Sequence, residues 1–129
     1  MTVYLSAEQV LALHDRALHR YGGTAGVRDS GALASSVAQP AMEAFGMELY
    51  PDLETKAAAY LFFLSRNHVF TDGNKRTAYL AAAIFLRLNG LSLAGPDDQV
   101  FELVLASARG ELKDVDAVTE RLKPLISPL

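Results

Sequence analysis

The sequence predicts an all-α fold: one compact helical bundle formed by a single domain, residues 1–129, with at most one small hairpin. Three observations point there. Apolar residues recur at helical spacing in several segments, and most of these open on a capping residue. Two segments, residues 53–66 and the stretch beginning near Asn74, are so rich in apolar side chains that they suit helices buried in a core. The alternating pattern of half-buried strands is slight throughout.

Taken in order, Ser6 and Gln9 form a capping box that opens a helix to about residue 20, with Val10, Leu13, Ala17 and Leu18 on one side. Tyr21-Gly22-Gly23 stops it. After a glycine-spaced loop, Asp29-Ser30 caps a short helix over about residues 31–39, which Pro40 ends. Residues 41–51 carry Phe45 and Leu49-Tyr50 around Gly46, which suits a short hairpin or flap. Asp52 caps the first buried helix, over about residues 53–66, with Ala57, Ala58, Tyr60, Leu61, Phe62, Phe63 and Leu64 covering nearly every face. A polar loop, residues 67–73, leads to the second, which ends at Asn89-Gly90. Residues 91–95 read as a connector. Pro96-Asp97-Asp98 forms a first helical turn, opening a helix to Arg109-Gly110. Asp114 caps a last helix to about residue 126, weakened near its end by Pro124.

Composition narrows the function classes. The chain has 129 residues, 50% hydrophobic and 21% charged, which suits one folded domain and argues against disorder. A net charge of -3 argues against nucleic-acid wrapping and against coating an anionic membrane. The absence of cysteine removes disulfides and thiolate metal sites. Residues 1–20 lack a signal-peptide pattern, and the longest apolar run, residues 78–86, is about half of a bilayer span. The expectation is a cytoplasmic protein with no direct nucleic-acid or membrane partner.

The two most apolar helices are joined by the most polar short segment in the chain. Between Asn67 and Thr77 lie His68, Asp72, Lys75, Arg76, two asparagines and two threonines. A connector needs only turn formers. Phosphate chemistry supplies a reason for the rest, because a helix N-terminus offers unpaired N–H groups and partial positive charge. Gly73 permits close approach of a ligand, and Asn74, Lys75 and Arg76 add donors. Two cations in a first turn oppose the macrodipole by roughly 0.3–1 kcal/mol each, which an anion there would offset. Asp72 suits Mg²⁺, which binds through one or two carboxylates plus substrate phosphates. Histidine, the residue type at 68, is the side chain suited to accept a hydroxyl proton near neutrality. The spacing is not that of a P-loop.

The run His68-Val69-Phe70-Thr71-Asp72-Gly73-Asn74-Lys75-Arg76 resembles the signature of the Fic/Doc superfamily, His-Pro-Phe-x-Asp/Glu-Gly-Asn-Gly-Arg-x-x-Arg, and most closely its Doc (death-on-curing) branch. Matching features continue upstream through Tyr21-Gly22-Gly23 and the stretch from Gly26 to Gly31, so the resemblance covers most of the chain. It implies a Fic-like helical bundle with a β-hairpin flap at about residues 41–50 that aligns a target segment by strand addition. It implies that His68 is the general base on a Ser, Thr or Tyr hydroxyl of a protein substrate and that Asp72 holds Mg²⁺. Asn74, Lys75 and Arg76 would contact the phosphates of ATP at the glycine turn of Gly73. Arg66 matches a basic phosphate-binding position, although as a plain C-terminal helix cation it would need no such role. Phe70 would be structural.

Lys75 stands where the general pattern has its second glycine, and Tyr79 where it has its last arginine. A lysine fills the space that would admit the α-phosphate. Within the resemblance, this implies a reversed nucleotide pose and transfer of phosphate in place of AMP. Doc-type proteins are toxins of toxin–antitoxin pairs, and their targets include a translation elongation factor. No glutamate here is followed by Gly or Asn, as the inhibitory motif of many Fic enzymes requires, so the restraint would come from a separate antitoxin. An AMP- or other NMP-transferring enzyme and a catalytically silent antitoxin-binding module are the competing readings. His14 and His19, five apart, are read as surface or satisfied side chains, and Glu43 and Glu48 receive no role.

Overall fold

Four of the six α-helices begin at a side-chain cap foreseen in the sequence. A computed structural model describes all residues 1–129. Helix α1 (Ala7–Tyr21) starts on the Ser6–Gln9 capping box, and α2 (Ser30–Ala38) on the Asp29 carboxylate. A 3₁₀ turn, Gln39–Ala41, carries the chain around Pro40. Strands β1 (Glu43–Ala44) and β2 (Met47–Glu48) form an antiparallel hairpin. Its turn residues, Phe45 and Gly46, have φ of 53° and 76°, the left-handed pair that lets a two-residue hairpin follow strand twist. Asp52 caps α3 (Leu53–Arg66), and α4 (Asn74–Leu88) follows the polar loop. After β3 (Leu91–Leu93) come α5 (Asp97–Ala108) and α6 (Val115–Leu122), the latter capped by Asp114.

Helix α3 is the hub, packing against α4, α6, α5 and α2. Ala57, Ala58, Ala59, Tyr60, Leu61 and Leu64 are fully buried, and small residues at 57–59 let neighbouring helices approach closely. Phe62 and Phe63 are only half-buried and meet edge to face, so burial of this helix stops short of complete. No helix is long and apolar enough to cross a membrane.

Two expectations are corrected. Residues 91–93 form a strand, not a featureless connector, and the last helix ends at Leu122. The chain then makes a 3₁₀ turn, Lys123–Leu125, and a strand, β4 (Ile126–Pro128). β3 and β4 pair antiparallel, with Leu91 opposite Pro128 and Leu93 opposite Ile126, so the bundle carries a second small two-stranded sheet, its strands joined through α5 and α6. Pro124 is the cause at one end: it has no N–H for the helix ladder and diverts the chain four residues early.

The hairpin is anchored by a buried lysine. Lys56 on α3 is 1% exposed and donates to the Glu48 carboxylate at 2.9 Å and to the Tyr50 carbonyl. Glu48, without a role in the sequence, thus neutralises the one fully buried cation and ties β2 to the core.

Candidate active site

The loop between α3 and α4 is held from both sides. Val69 and Phe70 point into the core. The Val69 carbonyl accepts from the Arg28 and Asp29 N–H groups at 2.9 and 3.1 Å, and Thr71 N–H donates to the Gly26 carbonyl at 3.1 Å. Phe70 and Val27 form an antiparallel bridge. On the other side, the Asn74 amide both accepts from Phe70 N–H and donates to the Phe70 carbonyl, each at 2.9 Å. Asn74 therefore fixes the loop with its side chain, and it is the N–H at this position that faces outward from the helix end.

His68 lies exposed within this frame at φ 48°, one of two non-glycine residues with left-handed backbone. That conformation costs about 1 kcal/mol for an ordinary residue. Strain held in place by buried Val69 and Phe70 on one side, and on the other by the Asn67 amide donating to the Ser36 hydroxyl at 2.9 Å, is the kind found where a side chain must be presented.

Asp72 is exposed, yet both carboxylate oxygens are engaged. One accepts from Thr24 N–H at 3.0 Å and the other from Gly73 N–H at 2.9 Å. These two N–H groups hold its carboxyl below the usual carboxylate range, helped by Lys75. A carboxylate oxygen can accept more than one bond, so each keeps further acceptor capacity. No three His, Cys, Asp or Glu side chains gather to cage a cation on protein ligands alone. A lone ionised carboxylate beside an anion cradle fits Mg²⁺ brought in on substrate phosphates, and Asp72 is the residue that would hold it.

The N-terminus of α4 differs from every other helix start. α1, α2, α3 and α6 have a capping side chain, and α5 has Asp97 and Asp98 in its first turn. α4 has neither cap nor acid; it begins at Gly73 with φ 80° and carries Lys75 and Arg76 in its first turn. This end opens into a cavity of about 470 Å³. Asp72, Gly73, Asn74, Lys75 and Arg76 line its polar end, and Tyr79 with Val100, Phe101, Val104 and Leu105 form an apolar wall. The Arg76 guanidinium lies 4.0 Å over the Tyr21 ring, which holds it at the cavity edge.

Of the residues expected at the site, Asp72, Gly73, Asn74, Lys75 and Arg76 share this cavity, whereas His68 and Arg66 are not among its lining. Arg66 lies over the Phe62 ring and donates to the Leu112 carbonyl at 3.3 Å, bracing the α5–α6 connection. Three contributors received no role at the site from the sequence. Thr24 holds Asp72 through its N–H; Gly23 leaves room for that carboxylate; His14, expected as a surface or satisfied side chain, is buried beneath the loop. The glycine pattern at 22–26 was the available signal.

A helical bundle that presents a strained histidine, an ionised aspartate and a cationic helix end on one interhelical loop defines a class, and comparison gives it a name. The sequence model of the Fic/DOC family matches residues 4–86, more than half of the chain, and the chain belongs to that family. Within the family it falls in the Doc branch. It is 48% identical over 98 residues to Toxin Doc of Mycolicibacterium smegmatis, covering 76% of this chain and 73% of that one. It is also 35% identical over 122 residues to Protein kinase doc of Escherichia phage P1, covering 95% of this chain and 94% of the relative.

Proposed function

We propose that this protein is a toxin-type phosphotransferase that moves the γ-phosphoryl group of ATP to a hydroxyl side chain of a target protein in the cytoplasm. The observation that carries this reading is the uncapped, doubly cationic N-terminus of α4 opening into the cavity. Such an end is complementary to a polyphosphate. Family membership and the names of both relatives support the same reading.

In this mechanism the N–H groups at the start of α4, with Lys75 and Arg76, hold the phosphates and balance charge as the γ-phosphoryl transfers. Mg²⁺, held at Asp72, would neutralise phosphate charge. The hydroxyl oxygen of the target forms the new bond to γ-phosphorus, the bridging bond to the β-phosphate breaks, and ADP leaves. His68 takes the hydroxyl proton. Lys75 in place of glycine supports phosphate over AMP as cargo, since its side chain occupies space beside the cradle. Arg66 would join the phosphates only by leaving Leu112. The β1–β2 hairpin would receive the target segment along its open edge, with Phe45 and Met47 exposed for contact. A separate antitoxin would restrain the enzyme, and a translation elongation factor is the target class to test first.

The test is incubation of the protein and Mg²⁺ with bacterial lysate and ATP labelled at either the α or the γ position. Label transferred only from the γ position is expected, and His68→Ala should lower it about 100-fold or more. Transfer from the α position would mark an AMP transferase. No transfer, together with no nucleotide binding, would mark a silent antitoxin-binding module.

A further inference from the structure

We propose that His14, on α1 and outside the family motif, is a positioning residue that sets the stance of Asp72 toward the metal–phosphate complex; this rests on the reading of Asp72 above. Three observations converge on it. His14 is 2% exposed, buried beneath the loop. Its Nε2–H donates to the Asp72 backbone carbonyl at 2.8 Å, across 58 positions of sequence. Its ring stacks on Phe70 at 3.8 Å between centroids and 8° between planes.

The geometry makes His14 a floor for the loop. A Cβ on Gly73 would lie 3.5 Å from both Cδ2 and Nε2 of His14, so the Asp72–Gly73 peptide rests directly on the imidazole edge. Phe70 is locked to Asn74 by two hydrogen bonds, so the stack ties the imidazole to the first turn of α4. The Asp72 carboxylate is set by Thr24 and Gly73, while its main chain is set by His14. Since a carbonyl can only accept, Nε2 must carry the proton. Nδ1 lies 3.9 Å from the exposed Asp15 carboxylate, beyond hydrogen-bond length. Partners one step behind a metal ligand typically change metal affinity by 10- to 100-fold. A hydrogen bond to the ligand's main chain, with two other bonds to its carboxylate intact, belongs at the lower end.

The experiment measures ATP affinity by calorimetry with and without Mg²⁺, in the parent and in Asp72→Asn, His14→Phe and His14→Gln. Asp72→Asn should abolish the gain that Mg²⁺ gives; if the gain survives there, the reading of Asp72 fails and the inference falls with it. Given that loss, His14→Phe, which keeps a stacked ring and removes the donor, should reduce the Mg²⁺ gain about tenfold while leaving metal-free affinity near the parent's. His14→Gln, which keeps an N–H donor, should retain more of the gain than His14→Phe. A parent-like Mg²⁺ gain in His14→Phe overturns the inference and leaves the Asp72 reading standing. Should His14→Phe not fold, the ¹⁵N spectrum of the parent decides: an Nε2–H tautomer whose signal moves with Mg²⁺–ATP, but not in Asp72→Asn, is expected. An Nδ1–H tautomer, or a signal that does not move, overturns it.

Discussion

At Gly23 the missing side chain is itself a requirement of the site. Its φ is 123°, and a Cβ there would lie 2.8 Å from the Asp72 carboxylate and 2.9 Å from Leu18. Gly23→Ala must therefore push Asp72 away from the Thr24 N–H. Stability should fall by about 1–2 kcal/mol from the backbone alone, measured by thermal or denaturant unfolding. Mg²⁺-dependent ATP affinity should fall as well, whereas Gly22→Ala, with open space at its Cβ, should alter stability through backbone strain and leave that affinity near the parent's. The same residues explain what could be read from sequence. His68, Asp72, Gly73, Lys75 and Arg76 lie within nine positions, so their shared chemistry is local and visible. His14 and Thr24 reach Asp72 across 58 and 48 positions, and nothing in their own neighbourhoods marks that contact. Asn74 was legible as a site residue, but its bond to Phe70 instead of to solvent follows only from the turn that the loop adopts.

Among the elements, helix starts and the β1–β2 hairpin were legible and the β3–β4 pair was not, for one physical reason: the reach of the interaction along the chain. A cap acts over three residues, as Asp52 does by accepting from Thr55 N–H at 2.8 Å while Thr55 Oγ1 accepts from Asp52 N–H. β3 and β4 are three residues each and recognise one another from opposite ends of the α5–α6 unit, leaving too short a pattern to see. The Asp52 cap also predicts a pH dependence. Partial burial pushes its carboxyl up, but hydrogen bonds from the Thr55 hydroxyl and N–H prevail and hold it below its ordinary value. A carboxyl depressed in the folded state stabilises above the unfolded value of about 3.9 and loses that contribution as pH falls through the folded value. Asp52→Ala should therefore cost about 1 kcal/mol at pH 7. The gap to the parent should narrow below about pH 4, a result that denaturant titrations at the two pH values would check.

Over the whole molecule, Tyr60 joins the parts that carry the site. It lies fully buried on α3 and meets Phe85 of α4 at 5.1 Å between rings. Its hydroxyl accepts from Leu5 N–H at 2.9 Å and lies 3.4 Å from the Leu5 carbonyl, pinning the segment that leads into α1. α1 in turn supplies His14 and, through its C-terminal loop, Thr24. The position of Asp72 thus depends on the bundle around it as well as on its own loop. Tyr60→Phe removes the hydroxyl and leaves the Leu5 N–H buried without a partner, which should cost about 1–3 kcal/mol. Burial pushes the Tyr60 hydroxyl up to about 12 from its ordinary 10, with the Leu5 bond opposing. A group whose folded value is raised contributes stability below the unfolded value and loses it as pH climbs toward the folded one. The parent should accordingly lose stability between about pH 10 and 12 more steeply than Tyr60→Phe, whose curve lacks this ionisation. Parallel slopes for the two proteins in alkaline unfolding curves would show that the alkaline limit of the fold is set elsewhere.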